Sequence, residues 1–228
     1  MKNECNCELC KLRSLFFFHA STDVIKLMCE NKTEHQYDKG EIIIYEGSEI
    51  KDFIYLKSGL VKLSRKGTDG KDQIISFAKP FDFVSLLSVF SSSTYNYTVT
   101  ALDETIICAI VLEKIKAVAL INGEFTMGLM TRVSEATDKI ILNNLEIRRK
   151  NLKGRIAHVI LYFAHYIYNN NKFELPISRR EIAEYIGMTT ENVIRTLSEF
   201  RKDHILKFDG KQIEIENEKL LKSISEHG

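Results

Sequence analysis

The sequence predicts an α+β chain. A β-rich N-terminal half of jelly-roll type is followed by a long helix and a C-terminal winged helix-turn-helix. Three observations predict it. Turn pairs recur between short apolar runs from Tyr37 to Val111. Glu124 to Asn151 holds no proline and a single glycine, Gly128, while its apolar residues step by threes and fours. A capping box at Ser178 opens a helix–glycine–helix segment that ends in an Asp-Gly hairpin. The expected parts are a cysteine-rich arm over 1–20, a β domain over 21–122, the long helix over 123–152 and the winged helix over 153–228.

The arm, Met1 to Arg13, is polar and carries Cys5, Cys7 and Cys10. Ser21 to Glu30 reads as a short amphipathic helix with Ile25, Met28 and Cys29 on its apolar face. The β domain is punctuated at Lys39-Gly40, Glu46-Gly47, Ser58-Gly59, Lys66-Gly67 and Asp69-Gly70. Between these turns lie strand-like runs at Ile42–Tyr45, Phe53–Leu56, Leu60–Leu63 and Gln73–Phe77, with two more at Tyr97–Leu102 and Thr105–Val111. Short strands at such spacing predict an antiparallel sandwich or jelly roll.

In the long helix, Met130, Val133, Thr137, Ile140, Asn144 and Ile147 form a heptad seam. Thr137 and Asn144 are polar, as residues that set register between two helices are. The seam therefore predicts a homodimer; a helix packed only on its own sheet is the alternative. Leu129, Ala136 and Leu145 are expected to face the β domain. A purely basic run follows (Arg148, Arg149, Lys150, Lys153, Arg155), then a second helix over Ile156–Tyr168, and Pro176 marks entry to the last unit.

Ser178 and Glu181 make the S-x-x-E capping box of a helix whose Ile182, Tyr185 and Ile186 recur at helical spacing. Ala183 is small where a second helix crosses, and Gly187 supplies the sharp turn. Thr189 or Thr190 caps the next helix, and Val193 and Leu197 point inward. That leaves Glu191, Asn192 and Arg195 on the outer face at the helix N-terminus, the end of a recognition helix that meets base edges. A plain αα-hairpin is the bland alternative. Asp209-Gly210 between two alternating runs predicts the wing, where Lys207 and Lys211 are placed to reach phosphates or simply to be surface.

Composition sets bounds. The 228 residues fit two modest domains, and 44% hydrophobic residues suffice for packed cores. A formal net charge of +1 requires any nucleic-acid contact to use a local basic face. No apolar run approaches a membrane span and no signal-peptide core precedes a cleavage site, so a cytoplasmic location away from membranes is expected. Cysteines there serve metal, redox or core roles rather than structural disulfides. No nucleophile–base arrangement or phosphate-cradling glycine loop speaks for an enzyme.

With these pieces in order, the chain resembles the Crp/Fnr family of bacterial transcription regulators over nearly its whole length. The resemblance rests on Lys39-Gly40-Glu41, Glu46-Gly47, Ser58-Gly59, Pro80–Val84, the helix-turn-helix, and Gly210–Asn217, which is similar to the end of FNR-type members. It implies a cyclic-nucleotide-binding-like β-roll, a dimerisation helix, palindromic double-stranded DNA and RNA polymerase as partners. Members that bind cyclic AMP carry a G-E-x-L loop and an Arg-Ser pair. Here the loop reads Ser85-Leu86-Leu87-Ser88, the pair falls near Tyr95 and Asn96, and no arginine lies between Arg65 and Arg132. Without a cation for the phosphate, cyclic AMP is not the expected ligand.

The resemblance also implies a [4Fe–4S] cluster held by Cys5, Cys7, Cys10 and Cys108, because Cys108 follows Ala101-Leu102 at the separation found in FNR-type members. The arm spacing C-x-C-x2-C departs from the family's usual arm. Zinc, a thiol switch, haem or no cofactor stay open, and Cys29 is an alternative fourth ligand or a core residue. A redox or gas signal such as oxygen or nitric oxide follows if the cluster is present. On the recognition helix the family reads bases through Glu191 and Arg195, with Thr190 and Ile194 beside them, for a G·C-containing half-site such as TGA. Ser178, Arg179, Arg180 and Asn192 are expected phosphate contacts. The rival from another class is a cyclic-nucleotide-like regulatory module of an enzyme or transporter.

Overall fold

The computed structural model describes residues 30–228 apart from 31, 69, 71, 81, 83 and 86. Cys5, Cys7, Cys10, Cys29 and the helix expected over Ser21–Glu30, save its last residue, therefore lie outside the described residues. The chain forms two compact units, one with residues up to Arg65 and Ser76–Lys139, the other with Lys66–Ile75 and Ile140–Gly228.

The β domain comprises β1 (Lys32–Tyr37), β2 (Ile42–Ile44), β3 (Asp52–Ser58), β4 (Val61–Lys66), β5 (Asp72–Ala78), β6 (Thr98–Ala101) and β7 (Thr105–Val111). They make a three-stranded sheet in the order β1-β7-β3 and a four-stranded sheet in the order β2-β6-β4-β5. Leu56, Val61, Phe77, Tyr97, Val99 and Ile107 fill its core. At Gly59, between β3 and β4, φ is +93° and an added Cβ would lie 2.4 Å from Thr105 Oγ1, so only glycine fits.

Strand β1 was not expected. Its sequence, KTEHQY, has no apolar run, yet Glu34 pairs in register with Cys108 on the central strand β7. Helix α1 (Leu112–Ile121) was not expected either. It continues the apolar run of β7 without glycine or proline, and Val111 at its start offers no side-chain cap. Local signals for a boundary are simply missing there.

Helix α2 runs from Gly123 to Arg149. Asn122 Oδ1 accepts from Phe125 N at 3.0 Å and closes its first turn. The helix stops short of Asn151, which instead caps α3 (Leu152–Leu161) by accepting from Gly154 N at 3.1 Å. The second expected helix is also corrected: the α conformation ends at Leu161 and Tyr162–Tyr168 is a π-helix. Tyr162 lies near Tyr166 with ring centroids 5.1 Å apart and tilted, and Tyr168 lies over Phe173 at 5.3 Å.

The remaining elements are β8 (Lys172–Glu174), α4 (Arg179–Ile186), α5 (Thr190–Lys202), β9 (Leu206–Asp209), β10 (Gln212–Ile215) and α6 (Glu218–His227). The expected hairpin is present as β9 and β10, and β8, too short to read from sequence, joins it in the order β8-β10-β9. Ile156, Ile160, Phe163, Ile182, Val193, Phe200, Leu206 and Leu221 are the core. Gly154 on α3 lets Gly228 approach so closely that a Cβ would sit 2.9 Å from its carbonyl carbon.

The expected seam of α2 is turned away from solvent over most of its length. Ile147 is 3% exposed, and Val133, Thr137, Ile140 and Asn144 are half-buried. Thr137 donates to Val133 O at 2.8 Å, and the Asn144 amide donates to Ile140 O at 2.8 Å and Ile75 O at 3.2 Å. Both polar positions are thus satisfied within the chain. Met130, 58% exposed, belongs instead to an open stripe with Met127, Ile141, Leu142 and Leu145. Leu145, expected to face the β domain, is exposed. The open stripe is rotated about 100° from the expected one, a single residue step around an α-helix.

Candidate nucleic-acid interface and sensor site

The helix-turn-helix is built from local interactions. Ser178 Oγ accepts from Glu181 N at 3.2 Å, and Glu181 Oε2 accepts from Ser178 N at 2.8 Å, which completes the capping box. Gly187 ends α4 in the left-handed region at φ +67°. Thr189, rather than Thr190, caps α5, accepting from Asn192 N at 3.3 Å. Ala183, Val193 and Leu197 are buried, so α4 and α5 pack through the faces that their spacing indicates.

The opposite face of α5 carries the residues expected to read bases. Glu191 and Arg195 are exposed one turn apart, Ile194 is 47% exposed between them, and Thr190 is half-buried. The Glu191 carboxyl is held below its ordinary range by its own backbone N–H and by the Thr189 hydroxyl, so it stays an acceptor. Arg195 Nη2 donates to Asn192 Oδ1 at 3.0 Å. Asn192, expected at a phosphate, here accepts from the arginine that is expected to read bases. Among the other expected phosphate contacts, Arg179 is exposed, Arg180 pairs with Glu184 at 2.8 Å, and the Ser178 hydroxyl serves the cap. Lys207 and Lys211 are exposed on the wing.

The basic run, which begins in the last turn of α2, is largely engaged within the chain. Lys153 pairs with Glu199 at 2.8 Å and Arg149 with Glu146 at 3.3 Å. Lys150 Nζ donates to Ser225 O and lies 3.5 Å from Glu146. Arg155 spends its guanidinium on backbone carbonyls. An open hollow of about 420 Å³ lies beside the recognition helix, lined by Asn151, Leu152, Lys153, Arg195, Thr196 and Glu199. Nothing in the local sequence marks it, since its walls come from segments more than forty residues apart.

Residues 34–122 match the model of the cyclic nucleotide-binding domain, and residues 154–224 match that of the Crp-like helix-turn-helix domain. The chain is 27% identical over 181 residues to the transcriptional activator protein FnrA of Stutzerimonas stutzeri, covering 78% of this chain and 74% of that one. It is 26% identical over 193 residues to the fumarate and nitrate reduction regulatory protein of Escherichia coli, covering 83% and 77%. The structure of FixK2 from Bradyrhizobium japonicum superposes with a TM-score of 0.75 at 26% identity, over 85% of this chain and 96% of that one. This chain belongs to the Crp/Fnr family of transcription regulators. It is a DNA-binding regulator and not an enzyme.

Within this family, the roll of the present chain does not fit a cyclic phosphate. Tyr95, where the Arg-Ser pair was expected, is buried and its hydroxyl donates to Asp52 O at 3.3 Å. Burial pushes its phenol up to about 12. Tyr97 is 2% exposed, donates to Val84 O at 2.9 Å and meets Tyr95 edge-on at 6.0 Å. Ser85 is used up on the backbone of Ile54, accepting from N at 2.9 Å and donating to O at 3.1 Å. Tyr95 and Ser85 stand at positions expected for the phosphate contacts and bring no cation.

Cys108, expected as the fourth cluster ligand, is an interior residue of the roll. It is fully buried on β7, its thiol donates to Glu34 Oε1 at 3.6 Å, and burial pushes it up to about 12. Burial raises the cost of forming the thiolate, while the side-chain hydrogen bond from Tyr55 acts against it. Glu34 is in turn bound by Lys32 at 3.1 Å and Lys57 at 2.9 Å. Among the described residues, no three His, Cys, Asp or Glu groups gather to hold a metal. His158 and His165 contact Asn143 and Glu218 respectively. No helix among the described residues is long and apolar enough to cross a membrane.

Proposed function

We propose that the chain is a cytoplasmic homodimeric regulator that reads a pseudo-palindrome in double-stranded DNA with half-site centres about 34 Å apart and acts with RNA polymerase. The observation that carries this reading is the exposed Glu191–Arg195 pair at the N-terminal end of a helix entered through Gly187. Arg195 donates to a guanine edge, Glu191 accepts from a cytosine amino group, and Ile194 meets a thymine methyl. The exposed stripe of α2 supports the dimer: Met127, Met130, Ile141, Leu142 and Leu145 lie on one face, and an apolar stripe of this kind buries itself against a second helix.

The finer reading is a redox or gas sensor that uses Cys5, Cys7 and Cys10. Three cysteines within six residues and relatives named as FNR-type activators support it. Cys108 is left out of that ligand set because of its burial and its bond to Glu34.

Footprinting on a TGA-containing palindrome, with light scattering of the same preparation, tests the reading. Two protected half-sites and a dimer mass are expected. A single protected half-site, or monomers at micromolar concentration, would refute it. Ile141→Glu should release monomers because it places a charge in the proposed seam; a dimer that survives it would move the interface elsewhere.

A further inference from the structure

The joint between α2 and the winged helix is short and heavily tied. Only Lys150 and Asn151 separate the two helices α2 and α3. The last carbonyls of a helix have no intrahelical partner. Arg155 supplies several at once: Nε donates to Lys150 O at 2.8 Å, Nη2 to Arg148 O at 3.2 Å and Nη1 to Ile186 O at 2.9 Å. Arg148 lies in the last turn of α2, and Ile186 is the last residue of α4, just before the turn at Gly187. One cation thus sits at the negative ends of two helix dipoles. A planar fork of fixed donors reaches diverging carbonyls that an ammonium on a flexible stem does not.

A second tie lies alongside. Asn143 on α2 donates to the Tyr185 hydroxyl on α4, and its oxygen accepts from His158 Nε2 on α3 at 2.9 Å. Tyr185 is buried. Lys150 adds a bond to Ser225 O on α6.

We propose that Arg155, together with the Asn143–Tyr185 pair, is a positioning latch that holds the DNA-reading unit rigidly on the end of α2 and so fixes the half-site spacing the dimer accepts. This rests on the dimeric reading above. With two latched units, the distance between the recognition helices is a property of the protein. With the latch open, each unit still meets its half-site, but the pair tolerates altered spacing and must be ordered anew on binding.

The test is a spacer series: the preferred palindrome and versions with one base pair inserted or removed, plus a scrambled duplex, at fixed salt. The wild type should prefer one spacing. Arg155→Ala should bind the preferred duplex about ten- to hundredfold more weakly, the size expected for losing hydrogen bonds from a charged group. It should also flatten the spacing preference while leaving the scrambled duplex and the dimer mass nearly unchanged. Arg155→Lys should not restore the preference. Tyr185→Phe, which removes one hydroxyl, should move both readouts the same way by about two- to tenfold. Variants that keep the wild-type preference overturn the latch, as does Arg155→Ala binding that falls equally on all duplexes together with a lowered unfolding temperature. A wild type with no preferred spacing defeats the dimeric reading itself and the latch with it.

Discussion

The outer face of α5 and the inner sheet around Cys108 use the same kinds of side chain for opposite ends. On α5, Glu191 and Arg195 stand exposed, with Arg195 steered by Asn192 at 3.0 Å. In the sheet, Lys32 and Glu34 are mostly buried, and Glu34 gathers Lys32, Lys57 and the Cys108 thiol. Charges in water are cheap to hold and free to meet a ligand; charges out of water must be paired where they stand. The comparison teaches that a functional residue type is not a functional site. Exposure and the partners already engaged decide which of the two it is.

The sharpest way to break the comparison is at Glu34. Glu34→Ala leaves Lys32 and Lys57 near a buried thiol without their carboxylate and should destabilise the protein by about 3 kcal/mol, the cost of breaking a largely buried pair. Denaturant unfolding measures it; a loss no larger than that of an exposed ion pair would show that the cluster is more hydrated than its burial indicates. On the other side, Arg195→Ala should cost about 1–3 kcal/mol on a specific duplex and little on a scrambled one. Binding titrations on both duplexes at equal salt separate the two, and equal losses would contradict base reading.

Cys108 sharpens the contrast at the level of reactivity. In a chain with Cys5, Cys7, Cys10 and Cys29 changed to Ser, the remaining thiol should stay silent toward a disulfide reagent until denaturant is added. Likewise, Cys108→Ser should leave the iron content of anaerobically prepared protein as in the wild type. Rapid native labelling, or iron lost with Cys108 alone, would return it to the ligand set.

The smallest effect concerns His158. Burial first, and Lys150 second, hold its imidazole below the ordinary 6.5 against the opposing pull of Glu146. The folded state therefore favours the neutral ring. Its contribution is complete above pH 6.5 and is lost as pH falls through the unfolded value toward the lower folded one. His158→Gln should flatten the stability profile between pH 7 and 5; an unchanged slope would exclude His158 as its source.

Much of the reading unit was legible because its signals are local. The capping box, the Gly187 turn, the buried positions of α4 and α5 and the Asp-Gly hairpin each lie within a few residues of the groups that satisfy them. The strand-forming turns of the roll were legible for the same reason, with Gly40, Gly47, Gly59 and Gly70 all at positive φ. Strand β1 was not, because its polar residues are stabilised by pairing with a strand seventy residues away.

By itself the sequence determined the order of the parts, the turns, and which face of α5 stays polar, since helix periodicity, caps and glycine conformations are decided by neighbours in the chain. The tertiary structure alone decided which stripe of α2 is open, that Lys150 and Arg155 of the basic run brace a joint, and that Cys108 is buried beside Glu34. Those outcomes turn on partners remote in sequence, such as Ile75 for Asn144, Ile186 for Arg155 and Glu34 for Cys108. Burial and pairing are properties of the folded neighbourhood, and the same residue letters are compatible with either state until that neighbourhood forms.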